Sequence, residues 1–346
     1  MSGRGRMGYN PTDNNYHFQG EKETMSHWMT RTLRTVLICL FAVSLAACGK
    51  TVPKEEASAS GNAAPASAAQ KAGKITVQDA MGTVELAQKP ERIVTMEFSF
   101  TDALVTLGLK PVGAADDSNP ALFMDAVKSQ IGDYKSVGSR YEPNIELISS
   151  LQPDLIIVDL NKHKNAIPQL KAIAPLLVLD DFQADYAQML KNYMIIAQAT
   201  GKEEEGRKRL AEHQTKMDEA KKNIKNTNLR VLPAVVNTKG FFAHSDHSYT
   251  GSFIAMLGFT DPVKNEASYP QFTLEQLAEA NPQAMFLMPI EKENIEKQWA
   301  SNPLWGQIEA VSGNKVFYVE RRDWSLSRGL IGSEKMAEDI VKHLGA

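Results

Sequence analysis

The apolar positions of this chain change period again and again, from three-to-four residue spacing to short unbroken runs. That alternation predicts helices alternating with buried strands. In Val137–Val158, VGSRYEPNIELISSLQPDLIIV, Ile145, Ile148 and Leu151 repeat at helical spacing, and Leu155–Val158 reads as a buried parallel strand. Pro143 and Asn144 supply a helix start, and Pro153 ends the helix before the strand. The unit recurs in Phe272–Met288, FTLEQLAEANPQAMFLM, where Glu275 stands to Pro282 as Glu146 stands to Pro153. The segments upstream match as well: Ser99–Leu109 resembles Gly251–Phe259, with Gly108 and Gly258 at the helix-closing position. Two matches in the same order predict two similar α/β lobes, residues 74–184 and 227–346.

Around these units the pattern is simpler. Ile75–Glu85 alternates about Gly82 as an edge hairpin would, Ile93–Met96 opens the first central strand, and Val112–Ala115 predicts another. Residues 185–226 read as helix nearly throughout, bent near Gly201, with the charged part Lys202–Lys225 as a solvated face. The first half of that segment is the expected rigid connector between the lobes. In Arg230–Val236 the proline at 233 predicts a bulge or an edge strand. Trp299–Trp305 reads as amphipathic helix and Val316–Val319 as the last strand.

Ahead of the lobes the pattern is of another kind. Residues 1–24 are polar and aperiodic, an expected extension before a start at Met25 or Met29. Residues 25–47 carry Arg31 and Arg34, then an apolar run too short for a comfortable membrane span, ending in Leu45-Ala46-Ala47-Cys48. This is the order of an export signal closed by a lipidation cysteine. Residues 48–73, rich in Ala, Ser, Gly and Pro, read as a flexible tether. With Cys39 leaving in the signal, no disulfide or thiolate metal site is expected in the body. The net charge of −3 shows no basic excess for nucleic acid, and a mean hydropathy of −0.30 excludes a polytopic membrane protein.

The candidate chemistry lies at predicted strand ends. Arg140 precedes the first repeated helix, and Lys162 and His163 follow the strand after it, at the crevice where an α/β sheet takes ligands. Arg321, Arg322 and Arg328 cluster with Trp324 after the last strand; three arginines cannot all be buried unpaired, so they are solvated or line an anion site. His244 and His247 have H-x-x-H spacing, but on a loop without a glutamate between them, a weak zinc signal. Asp116 and Asp117 suit a polar loop as well as a hard cation. No motif marks a catalytic triad or carboxylate pair, so no enzyme is expected.

Together, MEFSFTDALVTLGLKPVGAADDSN, VGSRYEPNIELISSLQPDLIIVD, AHSDHSYTGSFIAMLGF and DWSLSRGLIGSEKMAEDIV resemble the iron-siderophore substrate-binding lipoproteins of ABC importers, within them the ferric citrate group. The resemblance runs from about Lys74 to the C-terminus. It implies two Rossmann-like α/β lobes joined by a long rigid helix, the class III periplasmic-binding-protein fold, with the cargo between them. The implied cargo is an anionic Fe(III) chelate that satisfies its own iron, so the protein supplies cations rather than metal ligands and holds no cofactor. The implied ligand residues are Arg140, Lys162, Arg328 and Arg321, with His244 and the aromatic walls Trp324, Tyr249, Tyr269 and Phe242. Glu146 and Glu275 would dock on a permease with its ATPase, and lipidated Cys48 would hold a monomer at the outer face of the cell membrane. Two positions depart from the group: Lys162 replaces the arginine of an Arg-His pair, and Leu326 replaces the first arginine of W-x-R-x-R-G. Lysine offers a point charge in place of a fork. Catecholate or hydroxamate siderophores, haem and cobalamin are the alternative cargoes, and bare zinc or manganese a more distant one.

Overall fold

The computed structural model describes residues 73–345; the extension 1–24, the signal 25–47, lipidation at Cys48 and the tether to residue 72 lie outside the described residues. The first lobe is built on a five-stranded parallel sheet in the order Lys135–Ser136, Gly113–Ala114, Ile93–Thr95, Leu155–Asp159, Leu176–Leu179. Leu155–Asp159 is buried along its whole length, as an interior parallel strand covered on both faces must be. The chain leaves Ile93–Thr95 for two strands on one side and then crosses to Leu155–Asp159 on the other. The strand order therefore reverses between these two strands. At such a switch point the connections diverge and leave a crevice at the carboxyl edge.

The second lobe has the order Gln271–Phe272, Gly240–Ala243, Val231–Asn237, Ala284–Pro289, Val316–Tyr318. Here the two lobes differ, because Gly240–Ala243 runs antiparallel to both its neighbours. The local cause is Asn237, whose Oδ1 accepts from Lys239 N (2.7 Å) and Gly240 N (3.0 Å) and folds the chain straight back. The expected bulge or edge at Pro233 is corrected: its strand is central. A strand residue presents N and C=O to the same side, and Pro233 O accepts from His244 N at 3.0 Å. The missing N–H thus faces the end of the ladder with Gly240–Ala243, which begins at Ala234, so the proline costs at most the one reciprocal bond to His244 at that end.

The repeated helices form as their start signals predict. Asn144 caps Ile145–Ser150 through Leu147 N, and Thr273 caps Leu274–Ala280 in a reciprocal capping box with Gln276. Gly108 and Gly258, at φ +73° and +102°, close the helices Phe98–Thr106 and Tyr249–Met256. The hairpin Ile75–Asp79 with Gly82–Leu86 is a separate two-stranded sheet, tied to the strand Leu176–Leu179 by Val178 N to Asp79 Oδ2 (2.8 Å). Residues 185–226 give two helices, Tyr186–Ala199 and Glu203–Asn223, broken at Gly201 (φ +63°).

One apolar cluster runs through both lobes, from Leu104, Ile157 and Leu177 through Tyr193 to Phe253, Phe286 and Leu330. The helix Tyr186–Ala199 lies within it. Its Asn192 Nδ2 donates to Asp180 O (2.7 Å) and its Tyr186 N to Ser252 Oγ (2.9 Å). The charged helix Glu203–Asn223 is not solvated on every face, since His213 and Met217 are buried against this core. Among the described residues no helix is long and apolar enough to cross a membrane.

Candidate functional site

Five parallel strands ending on one edge bring five short loops together. They carry Glu97, Asp117, Arg140, Lys162 and Asp181, one from each loop. Lys162 Nζ lies 2.8 Å from both carboxylate oxygens of Glu97. Arg140 reaches Asp117 Oδ2 with Nη2 (2.7 Å) and Nε (3.1 Å), and Glu97 Oε2 with Nη1 (3.4 Å), while its guanidinium covers the Phe98 ring at 4.3 Å. The side chains of Arg140 and Lys162 are each 6% exposed and that of Glu97 is 2% exposed. Two cations and two carboxylates thus form a closed, neutral cluster over the switch point. Burial pulls the Arg140 guanidinium downward, yet Glu97 and Asp117 outweigh it and raise its pKa. Burial acts upward on Asp117, and Arg140 overcomes it, holding that carboxyl below its usual range.

Asp159 positions two of these loops. Its Oδ1 accepts from Asn161 N (2.9 Å) and Lys162 N (2.6 Å), and its Oδ2 from Asp181 N and Phe182 N (both 2.8 Å). A fully buried carboxylate meeting four backbone donors fixes the loops against each other. His163 is not a crevice cation. It is 1% exposed, its Nδ1 accepts from Asp159 N (2.9 Å), and burial lowers its pKa.

The second lobe meets this edge through Arg328, Tyr269 and His244. Arg328 Nη1 donates to Phe182 O (3.0 Å), and its guanidinium lies 5.5 Å from the ring centres of both Phe182 and Tyr269. Lys162 Nζ sits 5.2 Å from the same Phe182 ring and 5.3 Å from that of Tyr141. Phe182 therefore stands between a cation of each lobe. His244, 2% exposed, packs edge-on to Tyr269 at 4.9 Å. Burial first, then Arg328 and Arg321, push its pKa down to about 3, so it is neutral. His247 of the H-x-x-H pair is exposed, and Arg321 and Phe242 are half-buried. Burial and the neighbouring Glu97 push Asp181 up to about 7 against Arg328 and Lys162.

Two expected wall residues are corrected. Trp324 is fully buried, stacks on Phe286 at 4.6 Å and donates Nε1 to Asp339 Oδ2 at 3.0 Å. The cause is a π-helical turn over Arg322–Leu326, which turns the indole into the core. Tyr249 is also core, 1% exposed, with its hydroxyl 2.8 Å from Ser333 Oγ. The rings that do flank the cations are Phe98, Tyr141, Phe182 and Tyr269. Glu97 and Asp117, missed as counter-ions from the sequence, carried a readable signal: each follows a predicted strand on the edge where Arg140 and Lys162 had to find partners. Glu146 and Glu275 are both exposed, each in the first turn of its capped helix.

Two α/β lobes sharing a core, with cations and aromatic rings of both meeting at a switch point, define a class III two-lobed binding protein. The chain belongs to the Periplasmic binding protein family, whose match spans residues 93–322. It is 37% identical over 313 residues to the Fe(3+)-citrate-binding protein YfmC of Bacillus subtilis (strain 168), covering 90% of this chain and 98% of that protein. It is 36% identical over 269 residues to the Fe(3+) dicitrate-binding periplasmic protein FecB of Escherichia coli (strain K12), covering 77% of this chain and 89% of that one. Among solved structures it is similar to Staphylococcus aureus SirA complexed with staphyloferrin B, with a TM-score of 0.70 and 26% identity over 78% of this chain and 98% of the other.

Proposed function

We propose that this protein is the capture component of an iron-uptake ABC importer, taking an anionic ferric chelate of the citrate type and delivering it to the permease. The observation that carries the reading is the Phe182 ring shared by Lys162 of the first lobe and Arg328 of the second, with Tyr141 flanking the lysine and Tyr269 the arginine. A chelate whose own oxygens fill the iron's coordination shell presents carboxylates and a hydrocarbon skeleton. It is recognised by charge-assisted hydrogen bonds and flat rings rather than by metal ligands. Binding, a small adjustment of side chains and release complete the cycle, with no bond made or broken. The names of YfmC and FecB support ferric citrate as the cargo.

Calorimetric titration with ferric citrate, a ferric citrate-hydroxamate, a ferric catecholate and iron-free citrate tests this. Saturable binding of a ferric carboxylate, with iron-free citrate far weaker, is the expected result; binding of the catecholate alone would refute the citrate-type cargo. Arg328→Ala is expected to weaken ferric citrate by about 1.5–3 kcal/mol, the range for a hydrogen bond to a charged group. Unchanged affinity would remove Arg328 from the site.

Delivery needs a partner. Glu146 and Glu275, exposed on matching helices of the two lobes, are the proposed contacts to basic residues of the permease. The double variant Glu146→Lys/Glu275→Lys is expected to bind ferric citrate as before and to abolish uptake in cells; normal uptake would exclude that docking. A lipid on Cys48 and the tether to residue 73 would keep the capture domain, working as a monomer, beside that permease at the outer face of the membrane.

A further inference from the structure

The carboxyl-edge crevice at a reversal of strand order is where open α/β sheets take their ligands. In this protein the reversal falls between Ile93–Thr95 and Leu155–Asp159, and the crevice is spanned by Glu97 from one strand end and Lys162 from the other. Glu97 is the N-cap residue of the helix Phe98–Thr106, yet its side chain makes no cap bond. It gives both oxygens to Lys162 and one to Arg140. That is the geometry a cargo carboxylate would adopt toward the same cations.

We infer that Glu97 is a specificity-determining residue, an internal carboxylate that occupies the anion position on Lys162 and Arg140 and is exchanged for a carboxylate of the chelate on loading. The inference rests on the reading of the cargo as a carboxylate-bearing ferric chelate and names what sets its affinity and class. With Asp117 held by Arg140, the first-lobe cluster has no net charge while Glu97 stays in place. A chelate without a carboxylate to exchange meets a neutral wall; one that has it trades like for like. The exchange lowers apparent affinity by the fraction of molecules in which Glu97 is out of the way. It also aids release, because Glu97 closes back on Lys162 as the chelate departs.

The test is calorimetric titration of the wild type, Glu97→Gln and Glu97→Gln/Lys162→Gln with two probes, ferric citrate and the iron-free tricarboxylate tricarballylate. Glu97→Gln is expected to bind ferric citrate at least tenfold more tightly than the wild type, and the double variant to lose that gain. Equal or weaker binding by Glu97→Gln would overturn the exchange and make Glu97 a plain positioning residue. If the wild type binds no ferric citrate, the cargo reading fails separately, and tricarballylate still decides: tighter binding to Glu97→Gln supports the exchange and no gain refutes it. Should Glu97→Gln fail to fold because two cations lose a partner, Glu97→Asp draws the carboxylate back by one methylene. A gain of about threefold for either probe is then expected, and no gain is the overturning result.

Discussion

Glu334→Ala is expected to lower the free energy of unfolding by about 3–5 kcal/mol, the cost of breaking a buried charge cluster from one side. Three donors of the helix Glu203–Asn223 converge on this carboxylate of the helix Leu330–Leu344. Arg209 Nη2 (2.7 Å) and His213 Nδ1 (3.0 Å) meet Oε1, and Lys216 Nζ (2.6 Å) meets Oε2. His213 is pinned from its other side by the Tyr186 hydroxyl at 2.6 Å, so the cluster ties together three helices behind the site. Alanine leaves Arg209 and His213 without this acceptor in a buried setting, while the half-exposed Lys216 turns to water. Urea unfolding at pH 7 measures the loss, and a change below about 1 kcal/mol, the usual worth of a surface pair, would refute the cluster's role. The pH dependence has a definite sign. Burial works upward on Glu334, but the bonds from His213, Lys216 and Arg209 outweigh it and hold its pKa at about 2, below the ordinary 4.5. Its stabilisation is therefore complete above about pH 4.5 and disappears as pH falls from there toward 2.

The repeated unit was legible in the chain because its signals are local. Proline, asparagine and threonine at helix starts, glycine at helix ends and unbroken apolar runs act within a few residues, and the helices and strands form where those signals stand. The antiparallel strand Gly240–Ala243 was not legible, since it depends on one asparagine side chain turning the chain back. The site shows the same division. Placing Arg140 and Lys162 at strand ends needs only strand order, whereas their pairing with Asp117 and Glu97 spans 23 and 65 residues of sequence. Trp324 misled because a tryptophan amid arginines reads as a binding wall, while a single π turn leaves its arginine half-exposed and sends the indole inward. The charged helix misled in the other direction, because four buried positions on one face are outvoted by charge in any average.

Asp102→Ala is expected to cost about 2–4 kcal/mol of stability, and to weaken ferric citrate binding although the Asp102 carboxylate bonds to backbone N–H groups rather than to the cations of the site. Asp102 belongs to the helix Phe98–Thr106 of the first lobe, and its carboxylate accepts from Leu330 N (3.1 Å) and Ile331 N (3.0 Å), at the start of the last helix of the second. One lobe thus caps the helix of the other. The contact needs glycine at 329, where a Cβ would stand 2.3 Å from Asp102 Cγ. Arg328 is the next residue, so the cap also fixes the cation that lies against Phe182. Alanine strands two buried N–H groups and frees Arg328 to move; normal stability together with normal affinity would rule this out. Burial raises the Asp102 pKa to about 7 against the backbone donors and Arg209. Between about pH 4 and 7 the folded state then holds the extra proton, and stability falls as pH rises. Asp181 and Asp261, also raised to about 7, tilt the curve the same way, whereas Asp102→Asn removes one group's share and keeps an acceptor for the cap. A flatter stability profile between pH 4 and 7 with ferric citrate affinity near wild type is the expected behaviour of that variant. An unaltered slope would mean that Asp102 is ionised throughout. Lobes pinned by a buried carboxylate and a shared core leave little room for domain closure, so in this protein the adjustment to cargo falls to side chains such as Glu97.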